Sequence, residues 1–177
     1  MSLGLYLHIP YCFSKCRYCD FYSHPGERGV PEAYVDALLR ELSRFAPEAP
    51  LQPDTLYFGG GTPSLLRPEQ AKRLIDAARP MPGAEITLEA NPETVTEQSL
   101  AGFREAGVNR ISFGVQSARD TQLRTLGRPH TAKQARAAFA AAWRAGFANI
   151  SGDIMLALPH YTCLLYTSPS PRDRQKS

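Results

Sequence analysis

Five short apolar stretches of strand character alternate along this chain with longer stretches of helical period, which restricts the folds open to it. GLYLHI at 4–9 reads as a buried strand stopped by Pro10. Pro31 then stands near the first turn of a helix whose Val35, Leu38, Leu39, Leu42 and Phe45 recur at helical spacing. TLYF at 55–58 is a second strand, broken by Gly59-Gly60-Gly61, and a helix opens near Pro68 with Ala71, Leu74, Ile75 and Ala78 on one face. The rhythm continues with a strand at 85–90, a helix at about 96–106, a strand at 109–115, a helix at 131–145 and a strand at 149–155. Strands separated by helices pair in parallel through crossovers, so the expected class is α/β, with a parallel sheet and outer helices. Arg104-Glu105-Ala106-Gly107-Val108-Asn109 is echoed by Arg144-Ala145-Gly146-Phe147-Ala148-Asn149, each reading as a helix closed by a left-handed glycine that feeds a strand. Chance similarity between two such loops is the bland alternative.

With 177 residues, 43% hydrophobic and 21% charged, the composition is that of one globular domain and excludes disordered, collagenous and coiled-coil classes. No apolar run approaches the roughly 18 residues of a membrane span, and there is no basic leader ahead of an apolar stretch and a cleavage site. The expected location is cytoplasmic. Of the net charge of +3, a local +2 falls within 163–177, leaving +1 for the rest and no electrostatic argument for a nucleic-acid or membrane partner. LLYTSPSPRDRQKS has two Ser-Pro pairs and no amphipathic period, and it resembles translated adapter sequence more than a protein segment. The expected division is a core over 1–162, incomplete, followed by a foreign, disordered tail over 163–177.

Three of the four cysteines lie within eight residues as C-x3-C-x2-C, Cys12, Cys16 and Cys19, directly after the first strand. The spacing suggests a metal site in a reducing compartment more than a disulfide framework. Three thiolates on one loop can hold three irons of a [4Fe–4S] cube and leave the fourth open to a ligand's amino and carboxylate groups. A zinc site completed by His8 or His24, and a group of unliganded thiols, are the competing readings. The later strands also end in polar or glycine signatures: Gly59-Gly60-Gly61, Glu89, Gln116 and Asp153. Parallel βα folds gather their ligand sites at the C-terminal ends of the strands, so these residues should converge with the cysteines on one mouth. Taken singly, each has a structural reading: a tight turn for the glycines, a solvated strand end for Glu89, a surface residue for Arg128. The four histidines, His8, His24, His130 and His160, receive no role.

YLHIPYCFSKCRYCDFYSH resembles the cluster loop of radical S-adenosylmethionine proteins, and among them the oxygen-independent coproporphyrinogen III oxidase family. GGGTPS at 59–64, LEANPET at 88–94, ISFGVQS at 111–117, LGRPH at 126–130 and DIMLALP at 153–159 resemble that family's later motifs in the same order, over about residues 3–162. The resemblance implies an open, partial parallel β/α barrel of the radical SAM type, truncated here after about five strands. It implies a [4Fe–4S] cluster on Cys12, Cys16 and Cys19, and S-adenosylmethionine bound by Tyr6, Tyr18, Gly60, Gly61, Thr62, Glu89, Gln116, Arg128 and Asp153. No acid or base residue is implied, because the cofactor carries the hard chemistry.

Two functions of different class share this scaffold. One is oxidative decarboxylation of coproporphyrinogen III to protoporphyrinogen IX; the other is binding of heme and its transfer to apo-proteins. Decarboxylase members resemble C-x3-C-x2-C-x-C, whereas this chain continues Cys19-Asp20-Phe21, like the heme chaperone branch, which is the favoured reading. Implied partners are heme or a porphyrinogen, an electron-donor protein and a heme-accepting apo-protein. The segment that holds heme in that branch would lie beyond the motifs seen here.

Overall fold

The computed structural model describes residues 2–26, 29–45 and 52–156. Cys163, His160 and the expected tail over 163–177 lie outside the described residues. Five strands, β1 (Gly4–Ile9), β4 (Thr55–Gly60), β5 (Glu85–Ala90), β6 (Arg110–Gln116) and β7 (Asn149–Ile154), form one parallel sheet in the order β1-β4-β5-β6-β7. The sheet does not close on itself, so the architecture is the open, partial β/α barrel expected from the sequence. Strands β2 (Tyr11–Cys12) and β3 (His24–Pro25) pair separately and pinch off the cysteine loop at its base.

Helices α1 (Glu32–Phe45), α2 (Pro68–Ala78), α3 (Glu97–Ala106) and α5 (Ala132–Arg144) fall where the apolar periods put them. Pro68 opens α2, where a missing N–H costs nothing. Thr96 and Thr131 cap α3 and α5 by accepting from the backbone N–H groups of Ser99 and Gln134. The echoed loops share one geometry: Gly107 and Gly146 have φ of 113° and 87°. The next amides, Val108 and Phe147, donate five residues back to Phe103 and Ala142, and both side chains are buried.

Three expectations need correcting. β4 continues through Gly59 and Gly60 instead of breaking at them. Phe45 is 76% exposed at the end of α1, so it does not extend the buried stripe of Val35 and Leu42. Helix α4 (Asp120–Leu126) was not foreseen, since its seven residues are too few to show a period.

The sheet's two faces differ in kind. Leu7, Ile9, Leu56, Phe58, Ile86, Leu88, Ile111 and Phe113 point to one side and pack against α1, α2, α3 and α5 through Val35, Leu74, Phe103 and Ala142. The alternate residues, Tyr6, His8, Tyr57, Thr87, Glu89, Arg110, Ser112, Ser151 and Asp153, point to the other side. Parallel sheets are ordinarily apolar on both faces. A parallel sheet with one polar face is built to surround something polar, and here that face continues into the mouth at the strand ends.

Candidate functional site

A cavity of about 540 Å³ opens at the C-terminal ends of the strands, within the range of sites for a cofactor-sized molecule. The cysteine loop forms one wall with Cys12, Cys16, Tyr18 and Cys19. The opposite wall carries Gly60, Gly61, Thr62, Glu89, Gln116, Arg128 and Asp153. Every residue that the resemblance implies for the cluster or the cofactor therefore lines one cavity, apart from Tyr6; Gly59, His8 and His24 do not line it. The Tyr6 ring is 54% exposed further down the polar face, stacked on Tyr57 at 6.0 Å between centroids. Its hydroxyl is 3.1 Å from His8 Nδ1.

A continuous hydrogen-bonded chain joins two of the thiols. Arg128 Nη1 donates to Cys16 Sγ at 3.2 Å and Nη2 to Asn91 Oδ1 at 2.8 Å; Asn91 Nδ2 donates to Thr62 Oγ1 at 3.1 Å, and Thr62 Oγ1 reaches Cys12 Sγ at 3.5 Å. This hydrogen-bonded chain fixes the two sulfurs relative to each other and to the strand ends. Asn91 did not stand out in the sequence; its signal was its place at a strand end inside LEANPET. Gly114 is a second omission, since a Cβ there would fall on the Arg128 guanidinium. A glycine inside a strand commonly marks such a close approach.

Arg128 reaches the cavity through the unforeseen helix. Gly127 closes α4 with φ of 73°, and the Arg128 amide donates back to Leu123 O, the same motif as at Gly107 and Gly146. Arg17 N–H donates to Leu126 O at 3.1 Å, which docks the cysteine loop on the end of α4. Arg128 Nε is buried and has no hydrogen-bond partner among the described residues. A buried, unpaired donor on a cation is costly, and the residue that carries it lines the same cavity as the three thiols.

Glu89 is held at both oxygens: Tyr57 OH donates to Oε1 at 2.7 Å and Gly60 N–H to Oε2 at 3.2 Å. Burial, then the hydrogen bond to Glu89, pushes the Tyr57 phenol well above its ordinary value, so it stays a donor at neutral pH. Tyr18 is pushed up to about 12, first by burial and then by the neighbouring thiols, with Arg128 opposing. Asp153 ends a second relay, in which Arg110 donates to Ser151, Ser151 to Ser112, and Ser112 Oγ lies 3.4 Å from Asp153 Oδ2.

The glycine run is explained by the protein itself. A Cβ at Gly59 would strike Tyr6 and Tyr57, one at Gly60 would strike the His8 ring, and one at Gly61 would lie 2.7 Å from Tyr11 O. Among the described residues, no three His, Cys, Asp or Glu side chains stand close enough to hold a single metal ion. The three cysteines line the cavity, and the sulfurs of Cys12 and Cys16 accept from an O–H and an N–H donor.

The radical SAM superfamily model matches residues 6–162. The chain is 43% identical over 163 residues to "Heme chaperone HemW" of Escherichia coli K12, covering 89% of this chain and 43% of that protein. It is 40% identical to the protein of the same name from Bacillus subtilis, over 89% of this chain and 43% of that one. The bovine "Radical S-adenosyl methionine domain-containing protein 1, mitochondrial" is 41% identical, over 88% and 36% respectively. The chain thus spans less than half the length of these relatives. Among solved structures, the coproporphyrinogen III oxidase HemN of Escherichia coli superposes with a TM-score of 0.81 at 29% identity, over 93% of this chain and 39% of that one. The hydrogenase maturase HydG shares the fold, with a TM-score of 0.62 at 14% identity.

Proposed function

The chain belongs to the radical SAM superfamily, and on that footing we propose that it forms the cluster- and cofactor-binding core of a heme chaperone, a protein that holds heme and passes it to apo-proteins. Membership implies a [4Fe–4S] cluster and S-adenosylmethionine. When bound, the pair supplies one-electron chemistry at the sulfonium of the cofactor.

The residues' part is binding and orientation. Cys12, Cys16 and Cys19 would hold three irons and leave one open. Glu89, fixed at both oxygens, presents its outward lone pairs to an ammonium or to ribose hydroxyls. Gln116 and Asp153 add polar contacts to the same ligand, and the Arg128 guanidinium puts a positive charge on the cavity wall that suits a carboxylate. Tyr18 borders the thiols and shields that wall from water. Tyr6 would act from the polar face below, by way of Tyr57 and Gly59. We place the protein in the cytoplasm, where thiols stay reduced; among the described residues no helix is long and apolar enough to cross a membrane. Residues 1–162 would be the native core, with 163–177 foreign to it.

The observation that carries the chaperone reading is position 21. The decarboxylase pattern has its further cysteine there; this chain has Phe21, 64% exposed at the edge of the cavity. The relatives named as heme chaperones agree with it. The likeness to coproporphyrinogen III oxidase supports the alternative, a decarboxylase.

The two part company in one experiment on the full-length protein, reduced under anaerobic conditions. We expect saturable heme binding and transfer to an apo-protein, with no cofactor consumed in proportion. Repeated turnover of coproporphyrinogen III to protoporphyrinogen IX without heme binding would replace the chaperone reading by the oxidase one.

A further inference from the structure

Gln116 is the one site residue other than glycine with a positive φ. Its φ is +62°, a region that side chains other than glycine rarely adopt, and the Ser117 amide donates to Val115 O across it at 2.8 Å. A hydrogen bond from residue i+2 to i around a positive φ is a γ-turn of the strained kind. Such strain persists only where neighbouring structure enforces it, and it collects at functional sites. Met155 N–H donates to Gln116 O at 3.0 Å, and on the turn's own hydrogen bond stands His130, whose Nε2 is 3.1 Å from the same Val115 carbonyl and whose side chain has no solvent exposure. Its other nitrogen, Nδ1, is 3.0 Å from Glu93 Oε2.

The proton inventory fixes the direction of the Val115 contact. A carbonyl can only accept, so Nε2 carries a hydrogen and donates it to Val115 O. The contact between Nδ1 and Glu93 Oε2 holds the other side of the ring, so both nitrogens have a partner. Glu93 follows β5 in a 3₁₀ turn (Pro92–Thr94), and His130 stands one residue before the Thr131 cap of α5. The pair therefore pins the end of β6 between the exit of β5 and the start of α5, which follows β6 and α4 in the chain.

We propose that His130, oriented by Glu93, is a positioning residue that holds the Gln116 turn and so aims the Gln116 side chain into the cavity. The inference rests on the reading of that cavity as the S-adenosylmethionine site. It gives a role to a histidine that sequence reasoning left without one, and it makes the polar burial of His130 and Glu93 a property of the site.

The test uses the full-length, cluster-reconstituted protein and two independent readouts. Hydrogen exchange of the Ser117 amide reports the turn itself, and titration with S-adenosylmethionine reports what the turn serves. In His130→Ala we expect Ser117 exchange to rise at least tenfold and cofactor affinity to fall about tenfold, with iron content unchanged. His130→Gln, which keeps a donor for Val115 O, should recover most of both. Because His130 acts through Gln116, adding Gln116→Ala to His130→Ala should cost little beyond either single change. Unchanged Ser117 exchange in a folded His130→Ala, or a His130→Gln as poor as the alanine variant, would overturn the proposal. Should His130→Ala fail to fold, Glu93→Gln carries the same exchange test, with the same two outcomes. If Ser117 exchange responds as expected while the wild-type protein does not bind S-adenosylmethionine, the latch stands and the reading of the cavity falls.

Discussion

Cys16→Ala protein, reconstituted anaerobically, is expected to retain iron only at background level, whereas Cys163→Ala should match the wild type. Cys12, Cys16 and Cys19 are the thiols on the cavity wall, and a cube with one open iron needs all three. Cys16 is also the thiol on which the loop is organised: its carbonyl accepts from Cys19 N–H at 3.1 Å and its sulfur from Arg128. Removing it takes a ligand and strands a guanidinium whose Nε already lacks a partner. Metal binding and ordering of such a loop are coupled, so the loss should be all or none rather than graded. Iron and sulfide counting with Mössbauer spectroscopy checks it. An intact cluster in Cys16→Ala, or stoichiometric zinc in the wild type, would remove the basis of the assignment.

The second large effect falls on stability. Gly61→Val is expected to destabilise the protein by about 3 kcal/mol or more, from overpacking against atoms that cannot yield. A Cβ at Gly61 would lie 2.7 Å from Tyr11 O, 2.9 Å from Ile9 O and 2.9 Å from Tyr11 N, all of them backbone. Those atoms belong to the junction of β1 with β2, where Gly61 N–H donates to Ile9 O, so relief would mean parting the cysteine loop from the sheet. At this chain length the loss corresponds to a fall in Tm of roughly 10 °C. Gly83→Ala is the internal control: Gly83 also has a positive φ of 82°, but nothing lies within 4 Å of its would-be Cβ. It should cost about 1 kcal/mol, from backbone strain alone. Equal melting temperatures for Gly61→Val and the wild type would refute the packing account.

That contrast marks where sequence reading reached and where it stopped. The long helices and the five sheet strands were legible because each repeats its period along its length, and because Thr96, Gly107, Thr131 and Gly146 mark the ends of α3 and α5. Helix α4 was not, because only Gln122, Leu123 and Leu126 of its seven residues are buried. The convergence of Glu89, Gln116 and Asp153 was legible from topology alone, as strand ends of a parallel sheet. Which atoms require the glycines was not, because Tyr6, His8 and Tyr11 lie about fifty residues away in sequence and meet them only through the pairing of β1 with β4. Asn91 and Gly114 were hidden for the same reason: both answer to Arg128, which a short helix delivers from further along the chain. His130 reads in sequence as a satisfied buried histidine, and it is one; what it satisfies is the carbonyl beside Gln116.

The order of strands in the sheet is also their order in the chain, β1-β4-β5-β6-β7. During synthesis from the N-terminus, each strand leaving the ribosome finds its sole inward neighbour already made, and no strand waits for a later one to be inserted beside it. The cysteine loop emerges first and Asp153 last, with Arg128 close before it. Nascent chains stopped short of β7 would present the three thiols without the complete opposite wall. All five strand ends therefore stand around the thiols only after β7 is out, which sets the earliest moment at which a cluster could meet that wall instead of an open loop alone.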